Sequence, residues 1–154
     1  DREHDVDIRT IRIFNTYGPR MRPDDGRVVP NFLSQALSGD DLTVYGDGSQ
    51  TRSFCYVSDL VAGIRAFAEA TPETAAGEVV NLGSTDEITI LELAETVLDV
   101  VETTSDITYE PLPPDDPSVR RPDTTKAAEL LDWEPEVGLA EGLNRTLAYF
   151  RDTL

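Results

Sequence analysis

Histidine, lysine and cysteine each occur once in the 154 residues, as His4, Lys126 and Cys55. A lone cysteine excludes an intrachain disulfide. It lies in Ser53-Phe54-Cys55-Tyr56-Val57, which reads as a strand, so a buried, inert thiol is expected and not a nucleophile. A lone histidine in a polar N-terminal stretch leaves no multi-histidine metal site and no basis for a His-based triad, and no Cys or His cluster has metal-ligand spacing. No apolar run approaches the roughly 20 residues of a membrane-spanning helix. Asp1 to Asp7 is charged from its first residue, without a secretory leader, so a cytoplasmic protein with no membrane partner is expected. Internal repeats and low-complexity segments are missing too.

Basic residues are scarce as a class. Thirteen stand against 30 acidic ones, for a formal charge of -17, and all but Lys126 are arginine. The acids are spread along the chain, so phosphate repulsion would act everywhere and nucleic acid is set aside as a partner. An evenly acidic, lysine-poor surface suits concentrated salt, where self-repulsion is screened and carboxylates hold water and cations. The alternative is an ordinary acidic protein, and a melt in low and molar salt separates the two. A hydrophobic content of 39% in 154 residues is enough for one domain with a core of its own.

What is present is a mixed α/β pattern. Ile8 to Asn15 is rich in β-branched residues and reads as a buried strand. A turn at Tyr17-Gly18-Pro19-Arg20 leads into a polar loop reaching Arg27. Val28 to Leu37 has helical spacing closed by Gly39. Leu42 to Tyr45 and Arg52 to Val57 read as strands, joined by the loop Gly46-Asp47-Gly48-Ser49. Ser58 is the expected N-cap of a helix from Asp59 to Ala70. A strand over Val79 to Leu82 follows. Thr89-Ile90-Leu91-Glu92 has the form of a capping box opening a helix to about Val101. Ile107 to Glu110 reads as a short strand, and Pro111 to Pro117 as a loop. Asp123 caps a helix from Thr124 to Leu131, Trp133 reads as core, and Leu139 to Phe150 is a final helix.

An anionic ligand would be repelled by so acidic a chain unless arginines were gathered locally. Arg20 with Arg22, Arg27, Arg52, and Arg120 with Arg121 all sit in or beside predicted loops. A guanidinium fork suits phosphate, so arginines converging from distant loops fit a diphosphate. For Arg22 and Arg121 neutralisation of nearby acids explains them equally well. Arg52 is better read as functional, because it opens a strand after a glycine-rich loop. That loop, Tyr45 to Arg52, is not a Walker loop, and by itself a plain strand connection suffices for it. Asn15 could cap its turn, Tyr45 could be strand packing, Phe32 and Leu33 could be core, and Arg120 could be surface.

Four blocks in order carry a resemblance. They are Arg12-Ile13-Phe14-Asn15-Thr16-Tyr17-Gly18-Pro19-Arg20-Met21; Val44-Tyr45-Gly46-Asp47-Gly48 with Gln50-Thr51-Arg52-Ser53-Phe54 and Tyr56-Val57-Ser58-Asp59-Leu60; Asn81-Leu82-Gly83 with the Thr89 helix; and Arg120-Arg121-Pro122-Asp123 with Lys126 and Leu131-Asp132-Trp133-Glu134-Pro135. Together they resemble the extended short-chain dehydrogenases that act on nucleotide sugars. Asp25-Gly26-Arg27-Val28-Val29-Pro30-Asn31-Phe32 is most similar to UDP-glucuronate decarboxylases. The resemblance implies an α/β chain, the C-terminal part of a Rossmann-type fold whose short strands and helices form a substrate lobe. It implies NAD as cofactor, a UDP-sugar as substrate and a homodimeric full-length protein. Asn15 would lie at the diphosphate, and Thr16 and Arg27 near the cofactor. Val29, Pro30, Asn31, Phe32 and Leu33 would wall the nucleotide pocket, with Tyr45 on the uracil and Arg52 clamping phosphate. Arg120 matches a catalytic-site arginine that approaches the sugar carboxylate or the diphosphate.

Two family features are missing. No Gly-x-x-Gly-x-x-Gly occurs, and the only lysine has Pro122, not tyrosine, four places before it. Both are expected before residue 1, which makes residues 1–154 the substrate-binding C-terminal portion, inactive alone. A 4-epimerase or 4,6-dehydratase of the same fold is the alternative activity. A non-catalytic nucleotide-sugar-binding domain is the alternative of another class.

Overall fold

The computed structural model describes residues 6–112 and 119–154, with the backbone alone for Val119 and Arg120. His4 and most of the proline-rich 111–117 segment lie outside the described residues. Four small sheets and six helices make up the described fold. Strand β1 (Thr10–Ile13) runs parallel to β6 (Val79–Leu82), with Thr10 opposite Val79 and Ile13 opposite Leu82. β2 (Thr16–Tyr17) pairs with β5 (Cys55–Tyr56), and β3 (Leu42–Tyr45) with β8 (Ile107–Glu110), both in parallel. The fourth sheet sets β4 (Thr51–Ser53) between β7 (Glu87–Thr89), antiparallel, and β9 (Val119–Arg120), parallel.

Helices cover these strands in two groups. α1 (Val28–Ser38), α4 (Ile90–Val101) and α6 (Leu139–Thr153) enclose a core with β3, built on Phe32, Leu33, Leu93, Val97, Leu143 and Phe150. α2 (Val57–Glu69) and α5 (Thr125–Leu131) pack on β6 around Phe67, Leu82 and Trp133. The short α3 (Pro72–Ala75) lies between α2 and β6 in sequence. The Trp133 indole donates to the Asp59 carbonyl at 2.9 Å, so the core tryptophan has its polar partner. Among the described residues no helix is long and apolar enough to cross a membrane.

Local chemistry explains most boundaries. Gly39 ends α1 in the left-handed region at φ 76°, where its N–H and that of Asp40 satisfy the Ala36 and Gln35 carbonyls. Thr89 Oγ1 accepts the Glu92 N–H at 3.0 Å, and the Glu92 carboxylate accepts the Thr89 N–H at 2.7 Å, closing the capping box. Cys55 is buried, and burial with the nearby Asp59 charge pushes its thiol up to about 12.

Four expectations require correction. The strand expected to be buried from Ile8 to Asn15 is the shorter β1, and it is largely exposed, with Ile13 53% accessible, because no described element packs over that face. The predicted strand from Arg52 to Val57 is two strands, β4 and β5, because the chain changes partners at Phe54. Asn15 spans that change: its carbonyl accepts the Cys55 N–H at 2.8 Å, and its amide donates to the Ser53 carbonyl at 3.2 Å. Ser58 is not the N-cap of α2. The helix begins one residue earlier, at Val57, and Tyr56 takes the cap position without a side-chain bond. Asp59 in its first turn points inward, accepting the Glu136 and Val137 N–H groups at 3.0 and 2.8 Å. At α5 the cap position is Thr124, although the Asp123 carboxylate accepts the Thr125 N–H at 3.0 Å.

Candidate functional site

One cleft of about 610 Å³ opens between α1, the β1–β2 junction, β3 and β4. That volume lies within the range of small-molecule sites. Each wall follows from the local fold. β1 ends at Ile13, and the chain turns through Phe14 and Asn15 into β2, presenting Asn15, Thr16 and Tyr17 to the opening. Val28, Asn31, Phe32 and Gln35 line it from one face of α1, as the spacing of three and four residues requires. Thr43 and Tyr45 alternate on one face of β3. Arg52 and Phe54 enter from β4 and its exit, and Ile90 from the start of α4.

The loop from Gly46 to Ser49 joins two lining residues, Tyr45 and Gln50. Asp47 Oδ1 accepts from the Ser49 N–H at 3.0 Å and the Ser49 hydroxyl at 2.6 Å, which holds its carboxyl below the usual carboxylate range. Gly48 sits at φ 76°, where a Cβ would stand 3.0 Å from Val44 and Leu91. The Gly48 and Gln50 carbonyls accept the Leu91 and Ile90 N–H groups at 3.1 and 3.0 Å, tying the loop to α4.

The lining is electrostatically unlike the rest of the molecule. No Asp or Glu is among the described residues that line it, and two arginines, Arg27 and Arg52, are. Arg52 Nη1 donates to the Thr51 carbonyl at 2.8 Å. Arg27 lies at the rim, paired with Asp25 at 2.9 Å. The first turn of α1 carries no acidic residue, but the Asp25 carboxylate just ahead of it accepts the N–H of the cap residue Arg27 at 2.9 Å. The Thr16 hydroxyl donates to the Phe14 carbonyl at 2.8 Å. Tyr17 is buried, its hydroxyl donates to the Leu139 carbonyl at 3.2 Å, and burial raises its pKa. It therefore stays protonated and serves packing.

Of the residues singled out in the sequence, Asn15, Thr16, Arg27, Val29, Asn31, Phe32, Tyr45 and Arg52 lie together on this cleft. Pro30 and Leu33 do not. Both are buried, Leu33 completely, because they stand on the core face of α1. Arg120 lies opposite Arg52 across the β4–β9 pairing, so its backbone is beside the site. Its side chain falls outside the described residues. Arg22 pairs with Asp24, and Arg121 with Glu87 at the edge of a smaller, separate depression. Sequence reading passed over Gln35, Thr43 and Gln50, which also line the cleft. The signal was available: Thr43 alternates with Tyr45, and Gln35 is one turn beyond Asn31. Among the described residues no group of three or more His, Cys, Asp or Glu is placed to hold a metal.

Parallel strand pairs under helices, with an arginine-bearing cleft beside the carboxyl ends of β1 and β3, are the architecture of a Rossmann-type α/β fold. The family model described as GDP-mannose 4,6 dehydratase matches residues 1–146, and the chain belongs to that epimerase/dehydratase family. UDP-glucuronic acid decarboxylase 5 of Arabidopsis thaliana is 53% identical over 142 residues, covering 92% of this chain and 40% of the relative. The UDP-glucose 4-epimerase of Thermotoga maritima superposes with a TM-score of 0.91 at 33% identity, covering 99% of this chain and 48% of that one. The UDP-glucuronic acid 4-epimerase of Bacillus cereus, solved with UDP-glucuronic acid and NAD, gives 0.90 at 31%, covering 99% and 48%. The chain thus spans less than half the length of each.

Proposed function

We propose that this chain forms the substrate half of an NAD-dependent enzyme that decarboxylates UDP-glucuronate to UDP-xylose. One observation carries the reading: a chain with a charge of -17 keeps a cleft whose described lining has two arginines and no carboxylate. Such a cleft selects a polyanion that the rest of the surface repels. The similarity to UDP-glucuronic acid decarboxylases supports the choice of sugar.

In this reading Arg52 clamps the diphosphate, and Asn15 donates to it with the amide hydrogen not committed to Ser53. Val29, Asn31 and Phe32 wall the nucleotide, while Pro30 and Leu33 support that wall from the core. Tyr45, 47% exposed, offers its ring to the uracil. Arg120 serves the sugar carboxylate or the diphosphate from its place beside Arg52. The cleft also fits an edge of NAD, because Thr16 and Arg27 face it with no acid on the described lining. Bound there, NAD would supply a hydride acceptor and donor for the sugar C4. The residues described here bind the substrate and orient C4, and the 4-keto sugar is a β-keto acid, whose carbonyl accepts the charge left by departing carbon dioxide.

The test is product analysis of the full-length protein with UDP-glucuronate and NAD. UDP-xylose and carbon dioxide are expected. An epimerised uronate would favour the 4-epimerase reading instead, and binding without turnover the non-catalytic one. Arg52→Ala is expected to weaken UDP binding by about 10- to 100-fold, the loss of a charge-assisted bond.

A further inference from the structure

Strand β9 is two residues long and pairs with β4 in parallel, the slightly weaker of the two ladder forms. Its register sets Arg120 directly opposite Arg52. Like charges at paired positions of neighbouring strands repel. The pairing therefore works against itself at the two residues the cleft needs side by side, and an opposing contact has to hold the strands together.

The far side of the same sheet supplies that contact. Side chains alternate along a strand, so Thr51 faces away from the side of Arg52. Glu87 of β7 lies on the Thr51 side, where its Oε1 accepts the Thr51 hydroxyl at 2.8 Å. Its Oε2 lies 3.5 Å from Nη1 of Arg121, the residue after Arg120. One carboxylate thus ties the residue before Arg52 to the residue after Arg120. Thr51 also bears on Arg52 directly, because its carbonyl accepts Arg52 Nη1 at 2.8 Å. A second anchor follows Arg121: Pro122 is buried, and the Asn81 amide donates to the Asp123 carbonyl at 2.8 Å.

We propose that Glu87 is a positioning residue that sets the separation of Arg52 and Arg120 by clamping β4 to β9 from the side away from the cleft. The inference rests on the reading of Arg52 and Arg120 as the cations that hold the substrate's anionic groups. It adds an acid outside the cleft lining on which their joint action depends. Two cations reach one substrate together only while their strands keep a fixed spacing.

The test is calorimetric binding of UDP-glucuronate to the full-length protein. Glu87→Lys sets like charges against each other at Arg121, and binding is expected to weaken about fivefold or more. The sign is diagnostic. Exchanging an acid for lysine raises the positive potential near the cleft, and the field alone would tighten an anion. Combining Glu87→Lys with Arg121→Glu restores the pair and should return affinity to within about twofold of native. Arg120→Gln alone should weaken binding about tenfold, the loss of a charge-assisted bond. Adding Glu87→Lys to it should then weaken nothing further. Glu87→Gln, which keeps an acceptor for Thr51 and loses only the charge, carries the test if Glu87→Lys fails to fold, with about two- to fivefold weaker binding expected. Native or tighter binding in the Glu87 variants would overturn the inference. So would a Glu87 effect that persists undiminished in the Arg120→Gln background, since that marks support of the fold alone. The reading of the cleft survives both of those results. If Arg120→Gln binds like the native protein, or the native protein does not bind UDP-glucuronate, that reading fails and takes this inference with it.

Discussion

Single side chains in this molecule carry two duties at once, and Asn15 is the clearest case. Its amide bonds the Ser53 carbonyl where β4 gives way to β5, and the same residue faces the cleft. Sequence reading offered turn-capping and ligand contact as alternatives for it, whereas one amide has two hydrogens and room for both. Gly142 shows the opposite constraint. A Cβ there would stand 2.1 Å from the Tyr17 hydroxyl oxygen and 2.7 Å from the ring carbon bearing it. Tyr17 is held by Leu139 and has no room to retreat within the core. Gly142→Ala is therefore expected to cost about 1–3 kcal/mol, the usual penalty of overpacking. Urea unfolding checks this, and a midpoint unchanged from the native protein would show that helix α6 can slide away from the ring. Nothing in the sequence marks this glycine, which sits inside a helical pattern where alanine is ordinarily better.

Among the elements, α4 links the core to the site. Thr89 ends β7, pairs across to Thr51 beside Arg52, and caps the helix. Residues 48–50 take the helix's next two free N–H groups through the Gly48 and Gln50 carbonyls. The loop weighed in the sequence as either a phosphate approach or a plain connection is thus fastened to a helix end. Thr89→Ala removes the cap and is expected to cost about 1 kcal/mol of stability. Chemical denaturation measures it, and a loss below about 0.3 kcal/mol would mean that the loop carbonyls hold the helix unaided. The capping box, the Gly39 stop and the strand over Leu42 to Tyr45 were legible because each depends on neighbours within a few residues. β2, β7 and β9, of two or three residues each, were not legible. They exist only through distant partners, and so short a stretch shows no period.

For the molecule as a whole, charge is the dominant feature. Thirty acidic and 13 basic residues give -17, and the ion pairs Arg22–Asp24, Arg65–Glu69 and Arg145–Glu141 are exposed and local. Such pairs contribute little, so most of the repulsion stands uncompensated at low salt. We propose adaptation to concentrated salt, and expect the melting temperature to rise steadily from about 0.1 M to about 2 M KCl as repulsion is screened. A melting temperature indifferent to KCl would mean the acids are spaced widely enough not to matter. The expected convergence of distant arginines belongs to this scale too. Arg27 and Arg52 meet on one cleft, while Arg22 and Arg121 answer nearby acids.

The amino-acid order alone determined the main helices, the longer strands, the arginine-dependent logic of an anionic ligand and the family blocks, because these rest on local spacing and on charge. Only the tertiary structure decided which face of α1 meets ligand and which meets core. It separated Asn31 from Leu33, joined Gln35 to Thr43, and split the strand at Phe54. Those outcomes depend on which segments pack side by side, and that follows from burying the whole apolar surface together.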